Sequence, residues 1–340
     1  MKRKSIMVIA TVLALLLNLS ACGLNASEHI EVVDADSESL ASEELSHDSE
    51  QSTEMSKDGE ELPEIEDEEE NAQENIEPIW YMDSEGIKSE PFGIVIDKND
   101  REWENFGLEG DFYVPDVSNV RFSCLYYEGD LESYISEHNK MQKDVWENMP
   151  YAVREPDEQY PMRTIAFVGN GIALSVELWN YNIDDIMGKG VQLWDDYSVD
   201  YLACIEDMTL YCPALGLKFS GNSDYDSVHV ISSDQRMTED GSLEGGVIII
   251  ESLRDDTESA LNRLDEFIKR QEEMEIYSAI DDGVERKIGK HQFLGKGVST
   301  EYSGGENWYF CSDETVITVQ ISIEKEENLE DYLSVIKEKK

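Results

Sequence analysis

Histidine, cysteine and positive charge are all scarce in this chain. Its 340 residues include five His and five Cys, and 27 Lys and Arg face 76 Asp and Glu, for a formal net charge of −49. A chain so negative is repelled by polyanions unless a local basic patch overrides the mean field, and no such patch occurs, so nucleic acid is not expected as a partner. Among the histidines, His29 and His47 fall in an acidic stretch, and His138, His229 and His291 have no second His at metal-ligand spacing. His138 and His229 read as satisfied core or boundary residues, and no metal is expected. A Gly-x-Ser-x-Gly nucleophile elbow is lacking. Gly169-Asn170-Gly171 has Leu174 where a dinucleotide fingerprint needs its third Gly, and Gly295 to Thr300 lacks phosphate-loop spacing. No cofactor is expected. Long apolar runs are also scarce: Ile6 to Leu17 is well short of the roughly 20 residues of a membrane span, and Asn18 and Ser20 follow it.

The charge is unevenly divided. Residues 1–22 carry +3 with no acid, residues 23–79 carry 21 acids and one Lys, and residues 80–340 carry 55 acids against 23 bases. Lys2, Arg3 and Lys4, then the apolar run, then small residues give the order of an export signal. Leu19-Ser20-Ala21-Cys22, followed by Gly23, resembles the lipobox of bacterial lipoproteins. That resemblance implies cleavage before Cys22, a diacylglyceryl thioether on its sulfur, and a mature protein held at the outer face of the cell membrane. Two acyl chains suffice for stable anchoring. The alternatives are an ordinary secretory peptide and a retained anchor. From Gly23 to Ile79 the chain is Ser, Glu and Asp with hardly an aromatic, and it ends near the block Glu64-Ile65-Glu66-Asp67-Glu68-Glu69-Glu70. Such a segment buries too little apolar surface to offset the entropy of ordering it, so residues 22–79 read as a lipidated Cys and a solvated acidic tether.

Beyond Trp80, aromatic and β-branched residues return. Phe122, Cys124 and Tyr126 alternate as on a half-buried strand, and Asp130 opens a helical stripe of Leu131, Tyr134, Ile135, His138, Met141 and Val145. The order recurs at a shift of 126: Val247-Ile248-Ile249-Ile250 reads as a strand, and a helix from about Asp256 turns Leu261, Leu264, Phe267 and Ile268 inward. Two hairpins correspond at a shift of 143, Ala166 to Val176 and Tyr309 to Val319, with Asn170-Gly171 as a type I′ turn pair. The increase of 17 is expected to be an extra strand and turn at Lys287 to Tyr302. The second half closes on a helical face of Leu329, Tyr332, Leu333 and Ile336, whereas Gly188 and Gly190 interrupt the matching stretch Ile183 to Trp194. These patterns suggest a tandem duplication, with residues 80–205 and 206–340 as two α+β units; the alternative is one larger α+β domain.

The order in residues 210–338 resembles the PsbP-like fold, an antiparallel sheet flanked by helices in an α-β-α sandwich. The carrying features are an opening hairpin from Tyr211 to Phe219, the Ile248 strand, the Leu261 helix, a meander in which Gly295 and Gly297 mark turns, and the closing helix. The resemblance implies a fold, transfers no catalytic residue, and suggests an accessory or assembly role rather than an enzyme.

Four cysteines remain after Cys22. Cys204 and Cys212 flank a short turn and are a possible disulfide across a hairpin; Cys124 and Cys311 fall in core strands; buried free thiols are the competing reading. Trp103, Trp146, Trp179 and Trp194 are candidate ligand-stacking aromatics, although aromatics at strand spacing are more often core. The adjacent acids Asp184-Asp185 and Asp195-Asp196, and the alternating Asp224 and Asp226, are weak candidates for a hydrolase dyad, since sequence neighbours do not share a face. Three functions stay open: a non-catalytic binding or assembly protein of the cell envelope with an envelope protein as partner, a small-molecule or glycan receptor, and a carboxylate-based hydrolase.

Overall fold

The computed structural model describes residues 78–114, 118–158, 160–179, 186–194, 200–206, 208–221, 227–238, 242–252, 277–300, 305–312, 317–324 and 327–339, with six helical positions between 262 and 273. Cys22, residues 23–77 of the expected tether, Asp184-Asp185, Asp195-Asp196, Asp224, Asp226, and Leu261, Leu264, Phe267 and Ile268 lie outside the described residues. Pro78, however, is buried and the Ile79 N–H donates to the Ile205 carbonyl, so the last two tether positions belong to the fold.

In chain order the first half forms strands β1 (Trp80–Met82), β2 (Gly86–Ser89), β3 (Ile94–Asp97), β4 (Asn105–Val114) and β5 (Ser118–Tyr126), helix α1 (Leu131–Glu137), then β6 (Gln142–Trp146), β7 (Met149–Arg154), β8 (Met162–Gly169), β9 (Ile172–Trp179) and β10 (Val191–Leu193). The second half forms β11 (Ala203–Glu206), β12 (Thr209–Cys212), β13 (Leu217–Ser220), β14 (Ser227–Ser233), a small hairpin β15 (Arg236–Met237) and β16 (Leu243–Glu244), β17 (Gly246–Ser252), β18 (Tyr277–Ile288), β19 (His291–Thr300), β20 (Glu306–Ser312), β21 (Ile317–Ile323), helix α2 (Leu329–Leu333) and β22 (Ile336–Glu338). Between β17 and β18, residues Asn262, Asp265, Glu266, Lys269, Arg270 and Glu273 are helical and exposed, and Asp265 pairs with Lys296 of β19.

Two antiparallel sheets carry the fold, and both are shared between the halves. The long one runs β18-β19-β20-β21-β17-β14-β4-β5-β9-β8-β7-β6, and the short one β10-β13-β12-β11-β1-β2-β3-β22. Each order is a palindrome in the halves: β4-β5-β9-β8-β7-β6 is mirrored by β14-β17-β21-β20-β19-β18, and the halves meet at the β14–β4 pair and the β1–β11 pair. The last strand of each half crosses over, β10 onto β13 and β22 onto β3. The same succession of strands is therefore laid down twice, and neither half closes its sheets without the other.

The sheets pack face to face on one core. Phe112 of β4, Phe122 of β5 and Phe219 of β13 meet across it, with ring centroids 4.6 to 5.9 Å apart. On the other face of the long sheet, α1 lays Leu131 and Tyr134 over Ala152, Ala166 and Ala173, whose small side chains admit the helix. Asp130 caps α1 by accepting from the Ser133 backbone N–H at 2.8 Å.

This architecture overturns the expected PsbP-like α+β sandwich. The principal packing is sheet on sheet, and the helices with defined limits, α1 and α2, are seven and five residues long. The stripe from Asp130 stops at Glu137, where His138 caps the helix and Lys140 takes a positive φ of 66°. Beyond it the β-branched and aromatic pair Val145-Trp146 enters β6, with Val145 59% exposed. Closing residues Leu329, Tyr332 and Leu333 are buried on α2 as a helical face, but Ile336 belongs to β22. Nor do the described residues of the stretch expected as an extra strand, Lys287 to Tyr302, add a strand. Lys287 to Thr300 is the end of β18 and β19, which are 12 and 10 residues long against 5 and 6 for β6 and β7. Gly295 and Gly297 are not turns either. They lie within β19, where a Cβ would come within 2.3 Å of the Phe310 ring and 2.8 Å of the Trp308 ring.

Candidate functional site

An open groove of about 920 Å³ lies where the tip of the β8–β9 hairpin meets the short sheet. Its lining is Met149, Asn170, Leu193, Trp194, Tyr201, Leu202 and the stretch from Pro213 to Gly216. Local chemistry places each wall. Asn170-Gly171 turns with φ of 49° and 92°, the left-handed pair a two-residue hairpin needs, and Asn170 Nδ2 donates to the Ala214 carbonyl at 2.7 Å. Pro213 starts a 3-10 turn that Gly216 ends at a φ of 66°, and the Gly216 carbonyl accepts from the Trp194 N–H at 2.9 Å. Leu202 N–H donates to the Met82 carbonyl at 2.8 Å, and the Tyr201 ring lies 4.5 Å from Tyr81. Leu193, at the end of β10, is 51% exposed. The described lining is aromatic and aliphatic with one amide, and no acid, His or Cys is among it.

Of the four tryptophans singled out by sequence, only Trp194 is placed in this groove, with its ring 5.1 Å from Tyr211. Trp103 stacks on Phe106 at 5.6 Å, Trp146 meets Phe167 edge-on at 6.4 Å, and Trp179 ends β9 with its side chain outside the described residues. Tyr201, Leu202, Leu215 and Met149 were missed by sequence reading. The Asn-Gly turn and the Pro213–Gly216 punctuation mark the places where their backbone bends, but only the sheet brings them together.

A second concentration of chemistry lies on the outer face of the long sheet, along the line where the halves join. Register sets two rows of polar residues across the strands. One runs Glu251, His229, Glu109, Ser123, Ser175, and the other Asp111, Arg121, Glu177, Thr164, Arg154. Ser123 Oγ donates to Glu109 at 2.8 Å, His229 Nε2 lies 3.6 Å from the other Glu109 oxygen, Arg121 lies 3.6 Å from Asp111, and Arg154 donates to Thr164 at 2.8 Å. Burial raises the Glu109 carboxyl, but the bond and charge of His229, with Ser123 and Arg121, outweigh it and leave its pKa below the ordinary 4.5. Burial lowers His229, yet Glu109, Glu251 and Asp111 carry it above 6.5. Glu177 is raised by burial, against the pull of Arg121 and Arg154. Each row alternates donors with acceptors and charge with opposite charge, so these groups hold the register of the central strands and spend little field on solvent.

His229 is thus an ion-pair residue at the joint rather than a simple core His. His138 stacks on Tyr134 at 3.9 Å with Nδ1 2.8 Å from the Tyr134 carbonyl, and His291 Nε2 lies 2.8 Å from the Phe92 carbonyl. Among the described residues no group of His, Cys, Asp or Glu is arranged to hold a metal ion, and no helix is long and apolar enough to cross a membrane. All four cysteines of the folded part are buried, and none is bonded to another in this structure. Cys204 pairs in register with Tyr211, which puts Cys204 and Cys212 on opposite faces of the short sheet; the sulfur beside Cys212 is that of Cys124, at 3.9 Å.

No family model matches the chain, and no curated protein matches it. Among solved structures, it is similar at a TM-score of 0.29 and 9% identity to the immunity protein TplEi of the T6SS from Pseudomonas aeruginosa complexed with "L" peptide, over 76% of this chain and 94% of that one. The apo structure of the same immunity protein aligns at a TM-score of 0.28 and 9% identity, over 75% and 93%.

Proposed function

We propose that this chain is a non-catalytic binding protein of the bacterial envelope, anchored by lipid at Cys22 and engaging an envelope protein through the groove beside Trp194. The observation that carries the reading is the groove's make-up: an open cleft framed by the side chains of Trp194, Tyr201, Leu202 and Leu215, with Leu193 exposed at its lip and Asn170 and backbone polar groups sharing the lining. Aromatic and aliphatic side chains interleaved with backbone polar groups suit recognition of a polypeptide, since the gain comes from removing apolar surface from water while the polar groups set orientation. An open channel suits an extended polypeptide segment better than a small enclosed ligand. The lipobox-like segment supplies the address, and the acidic stretch after Cys22 the distance from the membrane.

A photo-crosslinking residue in place of Leu193 in the full chain, activated in intact envelopes, tests this. The expected product is a polypeptide adduct of one defined mass, abolished by Trp194→Ala and retained when the distant exposed Met237 is replaced instead. Absence of a polypeptide adduct, together with a raised unfolding midpoint in the presence of a cell-wall oligosaccharide, would overturn it in favour of the glycan receptor. Unlabelled protein after growth in radiolabelled palmitate would overturn the anchor at Cys22.

A further inference from the structure

Cys124 and Cys212 are 88 residues apart in the chain, yet their sulfurs lie 3.9 Å apart in the core, both without solvent exposure. Cys124 sits on the inner face of β5, between Leu108 and Leu174 in register, and Cys212 ends β12 on the inner face of the other sheet. We propose that Cys124 and Cys212 form a disulfide that fastens the two sheets across their shared core, with Cys204 left as a thiol.

Geometry decides between the pairings. A disulfide needs its sulfurs at about 2.05 Å and its Cβ atoms within roughly 4.5 Å, so each thiol must point at the other. With their sulfurs 3.9 Å apart across the core, Cys124 and Cys212 are the pair placed to meet that requirement. Cys204 is a strand neighbour of Cys212, but alternation turns its side chain to the opposite face of β11, level with Tyr211. Cys311 lies in β20 on the face opposite Phe310, away from the core cluster that holds Cys212.

The chemistry is thiol–disulfide exchange. One thiolate attacks the disulfide of an external carrier, releasing one carrier thiol and leaving a mixed disulfide. The second thiolate displaces the other carrier thiol, so two electrons pass to the carrier, two protons are released from the protein, and one S–S bond is gained. In the finished fold this route is closed. Both sulfurs are out of reach of a carrier, and burial holds the thiol of Cys212 far above its ordinary range and that of Cys204 at about 12. The bond must then form while the sheets are still coming together.

Refolding the full chain from denaturant and reductant into a buffer of oxidised and reduced glutathione tests this without reference to its cellular address. Residues 190–218 contain no Lys or Arg before Lys218, so Cys204 and Cys212 share one tryptic peptide and a second cleavage after Glu206 is needed to separate them. The expected result is a Cys124–Cys212 peptide pair that disappears on reduction, persists in Cys204→Ala, and is lost in Cys212→Ala. Protein folded reduced and then given the same buffer is expected to keep Cys124 and Cys212 as thiols. A Cys204–Cys212 link, or Cys124 and Cys212 both alkylatable in the refolded wild type, overturns the proposal, and because both readouts come from the wild type, a variant that fails to fold leaves the test intact.

Discussion

The central strands of the long sheet have two faces of opposite character, separated by one residue of alternation. Inward, Phe112 and Phe122 pack with Phe219 in a layer without solvent. Outward from the same strands point Glu109, Asp111, Arg121 and, from β14, His229. The inner face is non-directional and contributes through area removed from water. The outer face is directional: a slip of one residue in the β14–β4 pair would bring Val228 or Val230 opposite Glu109 and bury a carboxylate without its partner. The inner face therefore supplies most of the stability at this joint, and the outer face specifies which residues meet.

Breaking the inner face should have the largest effect. Phe112→Ala removes a ring from between the two sheets, and large-to-small changes of this kind cost about 3–5 kcal/mol. The loss, measured by denaturant unfolding, should be the same at pH 5.5 and at pH 8, since the rings it packs against, Phe122 and Phe219, carry no charge. A pH-dependent loss would show that the two faces are not separable.

Breaking the outer face should cost less and depend on pH. Glu109 is held below its ordinary 4.5, so its contribution is complete above that value and fades as pH falls through its folded pKa. His229 is held above 6.5, so its contribution is complete below that value and fades as pH rises through its folded pKa. The pair stabilises most between about 4.5 and 6.5, and Glu177, raised by burial, adds a further decline as pH rises above 4.5. Glu109→Gln should cost about 1.5–3 kcal/mol inside that window, the range for a hydrogen bond to a charged group, and visibly less at pH 8. An equal loss at both pH values would mean that the carboxylate acts by shape alone.

The second half offers a different test of the inner face. In β19, Gly295 lies flat under Phe310, and Gly295→Ala would push a Cβ to 2.3 Å from that ring. Overpacking of this kind costs about 1–3 kcal/mol, read as a lowered denaturation midpoint. Gly171→Ala, where a Cβ meets nothing within 4 Å, is strained only by its φ of 92° and should cost less.

Legibility followed the range of the forces involved. Local signals were readable: the Asn170-Gly171 turn, the Asp130 cap, and the alternation in β5 are each settled within a few residues. The spacing of 126 and 143 between matching segments was also readable, because two copies of a strand order leave the same apolar texture. What the linear pattern did not carry was pairing. An apolar spacing of three and four over six residues fits a helix and a strand-turn-strand alike, so the stripe through Met141 and Val145 was read past its end at Glu137. The linear pattern makes Gly295 and Gly297 look like turns because their reason for being Gly sits on the neighbouring strand. Likewise Cys204 and Cys212 are close in the chain but on opposite faces, and the groove draws on residues from 149 to 216 that share no local motif.

The smallest expected effect concerns the layer that covers the outer face where its charges end. Over Ala152, Ala166 and Ala173 the sheet has no charged row, and α1 lies there instead, seven residues long and too short to hold without its cap. The Asp130 carboxylate accepts from the Ser133 backbone N–H, and that bond keeps its pKa below the ordinary 3.8. Its contribution is complete above that value and is lost as pH falls through the folded pKa. Asp130→Ala should then lower global stability only slightly while speeding amide exchange within Leu131–Glu137 well above that in β8 and β9 beneath it, whereas Asp130→Ser should restore most of the protection. Exchange that speeds equally in helix and strands would mean that α1 and the outer face of the sheet open as one unit, and the charged joint and the helix-covered flank would then have to be treated as a single layer.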